Sequence, residues 1–465
     1  MLPNAPFLSR RRFLQHSSAG LSSIALSHLL RAGELGSDNG THFPAKAKRI
    51  IWLFMHGGPS HIDLFDPKPE LRRLSGQRIP DSIGKFDTRR DVARNPLLAP
   101  VKPFTKCGQS GIEMCAEFLP HLTSLADEMC VIRSCHGDSV NHPQSVYQMN
   151  TGATQMGKPS MGAWLSYGLG SENSNMPSFV VLPDPGGGVK GGPPAWGSGF
   201  LPAAHQGTTL RPGKAPILDL KPASGISTER QRSTLDLVRQ MNELHGSQRE
   251  ESSVLAARIQ AYELAFQMQS TAPEVVDISG ESEFTKSFYG IDDPKTAEFG
   301  TRCLLARRMI ERGVRFVQLY AGNTNGWDAH DNVLSNHTTL CKRTDKPATA
   351  LILDLKQRGL LEDTLVVWGG EFGRMPMSEK GKGRDHNPWG YSTVLFGAGV
   401  KKGHVHGSTD DFGLRAQEDP VHVSDLHATL LHLLGIDHER LTYRFNGLDQ
   451  RLTGVRGEVV KGVLA

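Results

Sequence analysis

His56, His61 and Asp63 lie within eight residues of one another, directly after the apolar run Ile50-Ile51-Trp52-Leu53-Phe54-Met55. Imidazoles and carboxylates are the side chains that hold zinc-like ions, and a loop at the end of a buried strand can present several of them at once. The pattern recurs along the chain. Asn325-Gly326-Trp327-Asp328-Ala329-His330 follows the run 314–320, and an acid and an imidazole two apart on one turn can grip a single ion. Gly369-Gly370-Glu371-Phe372-Gly373-Arg374 follows the run 365–368, and Arg384-Asp385-His386-Asn387-Pro388-Trp389-Gly390 precedes the run 393–396. Residues 135–152 add His136, Asp138, Asn141, His142 and Ser145. Each group has a structural reading: a loop histidine is ordinarily just hydrogen-bonded, Asp328 would cap a helix, and Glu371 would pair with Arg374. Five ligand-bearing strand ends in one chain point instead to a metal site.

The apolar runs must position these side chains. Continuous runs, with others at 129–133 and 179–182, are the pattern of strands covered on both faces. Helical patterns at 118–126, 301–312, 348–358 and 423–434 separate them, the last with Gly435 placed to cap it. The alternation predicts a three-layer α/β/α sandwich with a mostly parallel central sheet, whose ligands gather beyond the carboxyl ends of the strands. The Gly- and Pro-rich stretch 184–222 reads as a long ordered loop near the site. A helical pair follows at 228–245 and 250–268, with Leu255, Ile259, Tyr262 and Phe266 as a core-facing stripe. One domain over 46–465 is expected, with 184–290 as an insertion carrying the loop and the pair.

Hydrophobic content of 38% and charged content of 22% over 465 residues allow a large core, and a net charge of +4 without basic–aromatic interleaving argues against nucleic-acid binding. The six cysteines form no CxxC pair, so a cysteine-built zinc site is not expected. Cys107–Cys115 and Cys130–Cys135 are open as disulfides or as buried thiols. Ser9-Arg10-Arg11-Arg12-Phe13-Leu14 precedes a short, mildly apolar stretch. It reads as a twin-arginine export signal, with 1–45 as signal and leader, and the destination as periplasm or cell envelope. The stretch is too short to span a bilayer.

Together these motifs resemble the alkaline phosphatase–sulfatase superfamily. Residues 52–65 resemble its first strand and ligand loop, and 141–152, closing in Thr151-Gly152, its nucleophile segment. Asp328 with His330, Glu371-Phe372-Gly373, and His386 resemble its later ligand elements, and 425–431 its C-terminal packing helix. MHGGPSHIDLFDPKP, NHPQSVYQMNTG, NGWDAHDN, GGEFGRMP and GRDHNPWG are similar, over nearly the whole chain, to a sulfatase-like family called the fifteen-oh-one domain of unknown function. The departures from the superfamily are His56 in place of Asp, Phe372 in place of His or Asn, and His142 at the nucleophile position. No Cys-x-Pro-x-Arg occurs, so formylglycine chemistry is not expected.

The resemblance implies an exported hydrolase of phosphate or sulfate esters using one or two divalent ions, zinc first, with manganese or calcium as alternatives. Asp328, His330 and His386 would hold one ion; His56 and Glu371, with Asp63, a second. His142 would be general base or covalent acceptor, with Ser145 as the other nucleophile. Arg374 or Arg384 would hold the substrate's anionic oxygens, and Asp385 would orient His386 from behind. The substrate would be a small anionic ester or a sulfated or phosphorylated polymer. A catalytically degenerate metal-binding envelope protein is the alternative. A serine esterase is a further one, since Phe54–Gly58 resembles an HGG oxyanion loop, but it lacks the required GxSxG.

Overall fold

The computed structural model describes residues 40–211, 225–247 and 253–465. The twin-arginine segment and part of the expected insertion lie outside them. Nine strands form the central sheet: β1 (Arg49–Met55), β2 (Met129–His136), β3 (Phe179–Leu182), β4 (Thr208–Thr209), β5 (Phe316–Ala321), β6 (Thr364–Gly369), β7 (Tyr391–Gly397), β8 (His404–His406) and β9 (Val421–His422). Their order is β8-β2-β7-β6-β1-β5-β3-β4, with β9 pairing farther along β2. Only β7 runs against its neighbours. The sheet is therefore mostly parallel, as the apolar runs predict.

β1 shows why both faces are covered. Its even residues Ile50, Trp52 and Phe54 enter one core, and its odd residues Ile51, Leu53 and Met55 the other. Successive side chains of a strand point to opposite faces, so a strand apolar at every position needs two apolar partners. Helices α1 (His142–Thr151), α2 (Met161–Leu169) and α7 (Val423–Leu433) supply the first core. Helices α5 (Ala297–Glu311) and α6 (Val333–Gln357) supply the second, giving the expected three layers.

Three local expectations are revised, and the open choice for the cysteines is resolved. Residues 118–126 form no α-helix; a 3-10 helix runs instead from Leu122 to Glu128. α6 runs well upstream of residue 348, through Pro347, from an Asn332 side chain that accepts a bond from Ser335 N. Helices α3 (Thr228–Ser247) and α4 (Ser253–Val276) form the pair, but Tyr262 is 45% exposed and α4 packs through Met268, Ala272 and Val275. All six cysteines are free and buried. Among the described residues no helix is long and apolar enough to cross a membrane.

Candidate metal centre

Four loops meet beyond the carboxyl ends of β1, β5 and β6 and the start of β7. Because β7 is reversed, residues just before it lie on the same edge as residues just after its neighbours. His386 thereby faces Asp328 and His330. Gly57, after β1, has φ +109, and a Cβ there would stand 2.5 Å from Trp327 N, so glycine lets this turn close on the one carrying Asp328. α1 begins at His142 with Pro143 in its first turn and stops at Gly152, which is left-handed at φ +73. The Thr-Gly pair that closes the nucleophile-like segment is thus a helix end.

The Asp328 carboxylate is the hub. His330 Nε2 and His386 Nε2 each lie 3.0 Å from its Oδ1 and 3.0 Å from each other. On its other edge, His142 Nε2 lies 3.0 Å and Lys190 Nζ 2.9 Å from Oδ2. Burial pushes the Asp328 carboxyl up, but the Arg374 guanidinium and the three neighbouring histidines outweigh it and hold it well below the usual carboxylate range. His386, driven mainly by burial, is held well below the ordinary histidine value.

The outer nitrogens of the histidines fix which lone pairs point inward. His386 Nδ1 donates to Val140 O at 2.6 Å, and His142 Nδ1 donates to Glu371 Oε1 at 2.6 Å. His330 Nδ1 faces Glu379 Oε2 at 3.4 Å and Asp385 Oδ1 at 3.6 Å. The inner Nε2 of His386 and of His142 therefore presents a lone pair, while His330 Nδ1 has no hydrogen-bond partner among the described residues. His142 Nε2 is buried and lacks hydrogen-bond alignment with any partner, despite its short distance to Asp328. Facing lone pairs about 3 Å apart repel unless a cation lies among them, and ligand atoms bound at about 2 Å have such separations. His142, Asp328 and His386 form one potential ligand group, and His330, Asp385 and His386 another. These donors fit a divalent ion.

The structure brings Asp328, His330, His386 and His142 together, with Glu371 behind His142 and Asp385 behind His330. Asp385 also accepts from His386 N at 2.9 Å. His56, Glu371 and Asp63, expected around a second ion, belong to neither group of converging ligand atoms found among the described residues. His56 Nδ1 donates to Asn323 O and its Nε2 accepts from Lys190 N, both at 3.1 Å, leaving no lone pair. Glu371 accepts from Gly57 N with both oxygens as well as from His142, so it serves that histidine. Asp63 is buried against Arg384, with contacts of 2.5 and 3.0 Å, and also accepts from Ser60 Oγ and Val101 N.

The arginines are likewise committed. Arg384 further donates to the carbonyls of Leu98 and Ala99. Arg374, fully buried, donates to the carbonyls of Gly57, Gly58 and Arg384 and braces Asp328 Oδ1 at 2.8 Å. Neither is free to grip a substrate. The Ser145 hydroxyl donates to Ser139 O at 2.7 Å and is no free nucleophile. Lys190 and Glu379 were not foreseen from the sequence. A single lysine inside the glycine-rich run 186–192 was the available signal for the first; for Glu379 there was none, since its contact is made only by folding.

Among solved structures, similar chains include the phosphonate monoester hydrolase SpPMH from Silicibacter pomeroyi, 13% identical over 68% of each chain, TM-score 0.32. The PsFucS1 sulfatase from Pseudoalteromonas sp. is 13% identical over 94% of this chain and 75% of that one, TM-score 0.36. A mutant TAB5 alkaline phosphatase is 10% identical over 84% and 99%, TM-score 0.35. Likeness this distant bears no weight on the reaction. No curated protein matches the chain. Residues 47–464 match the family described as "Protein of unknown function (DUF1501)", and the chain belongs to that family.

Proposed function

We propose that the protein is an exported, metal-dependent hydrolase of phosphate or sulfate esters. One observation carries this: three imidazoles, two of them (His142 and His386) tied on the outer side to an oxygen, turn their inner nitrogens onto the single Asp328 carboxylate. Asp328, His330 and His386 would hold the ion, with zinc favoured by two imidazoles and one carboxylate over calcium, which takes six to eight oxygens. A divalent cation there supplies positive charge against the oxygens of an anionic ester.

The chain's own groups supply the rest. His142, held by Glu371 with its Nε2 unprotonated, accepts a proton from the attacking water. The water oxygen bonds to phosphorus or sulfur, the ester bond to the leaving oxygen breaks, and the alcohol departs with the proton from His142. Lys190, on the Oδ2 edge and partly exposed, is the cation available to the substrate's anionic oxygens. Arg374 keeps Asp328 in place. The export reading rests on Ser9–Leu14 and suits a centre assembled before transport.

A panel of phosphate monoesters, phosphate diesters and sulfate esters, assayed on the full chain with and without chelator, tests the reading. Turnover of at least one class, lost on chelation and restored by zinc, is expected. A zinc-loaded chain inert across the panel overturns it.

A further inference from the structure

We infer that a cleft beside the centre is a second binding subsite, built for an anionic, ring-bearing unit of an extended substrate; this rests on the hydrolase reading above and selects polymer over small ester. The cleft has a volume of about 550 Å³ and is lined by Lys85, Phe86, Asp87, His136, Trp389 and Arg415, among others. Phe86 and Trp389 are half-buried aromatic side chains in its wall, while Lys85 and Arg415 are exposed cations. Aromatic faces hold sugar-like rings, and a guanidinium matches the fork of a sulfate or phosphate. Among the described residues the Lys85 ammonium has no ion-pair partner, and the Arg415 guanidinium donates only to Lys85 O, at 2.6 Å. Asp87 is the one acid lining the cleft, so two cations face one carboxylate.

The walls are latched together. Trp389 Nε1 donates to Asp87 O at 3.4 Å, Ala416 N to Trp389 O at 2.8 Å, and Gly137 N to Pro388 O at 2.7 Å. The last bond ties the cleft to the segment carrying His386. Position makes the cleft a subsite of the same centre. His136 ends β2 and Met55 ends β1, on the same edge of the sheet, with β7 and β6 between them. Three strand spacings of about 4.8 Å separate the two strands by roughly 14 Å across the sheet, and the register sets His136 about three residues farther along its strand. A chain of linked rings lying along that edge reaches both, and a single small ester cannot.

Calorimetric titration of the full chain with a sulfated hexasaccharide, a phosphorylated one and the uncharged parent tests this. The charged forms should bind at least tenfold more tightly than the parent. The Lys85→Ala/Arg415→Ala double variant should lose that advantage, with an unchanged unfolding temperature and unchanged turnover of any small ester the wild type cleaves. The preferred charged form identifies the anion read. No binding by wild type, equal binding of the uncharged parent, or full binding by the double variant overturns the subsite. Binding that the double variant abolishes, in a chain inert to every ester, keeps the subsite and refutes the hydrolase. Small-ester turnover without hexasaccharide binding does the reverse.

Discussion

Glu371 Oε1 lies 2.6 Å from His142 Nδ1, and both side chains are buried. The carboxylate is itself fixed by Gly57 N at the end of β1, so the first strand sets the orientation of a ring on α1. Glu371→Gln keeps the shape but removes the charge that stabilises a protonated His142. Turnover should fall about 10- to 100-fold with little change in KM, as for other groups that orient a functional imidazole. Steady-state kinetics with metal analysis checks this; loss of bound metal in place of turnover would make Glu371 a ligand.

Asp63 and Arg384 form a fully buried ion pair. Burial raises the Asp63 carboxyl, and Arg384 more than offsets it. Asp63→Asn leaves a guanidinium without its counter-charge and should cost about 3–5 kcal/mol in urea unfolding. The folded variant should still bind metal, since Asp63 touches none of the converging imidazoles. A variant of full stability that binds no metal would return Asp63 to the ligand set.

His337 and His427 are buried, and burial lowers each to about 4. His337 Nε2 accepts from Ser60 N at 2.9 Å, a bond that protonation would destroy. In the unfolded chain both would titrate near 6.5. Between about 6.5 and 4 the unfolded state therefore binds more protons, and stability falls as pH falls, by up to about 1.4 kcal/mol per pH unit per histidine. Urea midpoints from pH 7 to 4 should show the slope, and His337→Gln should reduce it. An unchanged slope in that variant would mean His337 does not titrate this way.

Much of the architecture was legible before folding. Runs such as Ile50–Met55 have one physical solution, a strand covered twice, and the ligand-type residues at their ends had to share an edge. That Asp328, His330 and His386 would lie together was legible for that reason. Sequence could not show which of the remaining candidates have spare lone pairs. His56, Glu371 and Asp63 looked equivalent to the others until their partners, Lys190 N, Gly57 N and Arg384, were known. The same holds for Arg374, whose guanidinium is consumed by carbonyls more than 300 residues away in sequence. The start of α1 at His142 was missed because its polar residues carry no clear apolar stripe.

Export is testable independently of chemistry. Replacing Arg10 and Arg11 by Lys should leave the precursor in the cytoplasm, because the receptor reads the arginine pair. Cell fractionation decides it; normal export of the double variant would refute the twin-arginine reading.

The central claim is that Asp328, His330 and His386 hold one ion. Metal-to-protein ratios by elemental analysis, after reconstitution with zinc and removal of loose metal, test it most directly. One tightly held ion is expected in the wild type, in His142→Ala and in the control His121→Ala, and loss of that ion in His330→Ala and His386→Ala. A wild type that retains no stoichiometric metal, or a folded His330→Ala/His386→Ala double variant that retains all of it, would show that these side chains hold no ion.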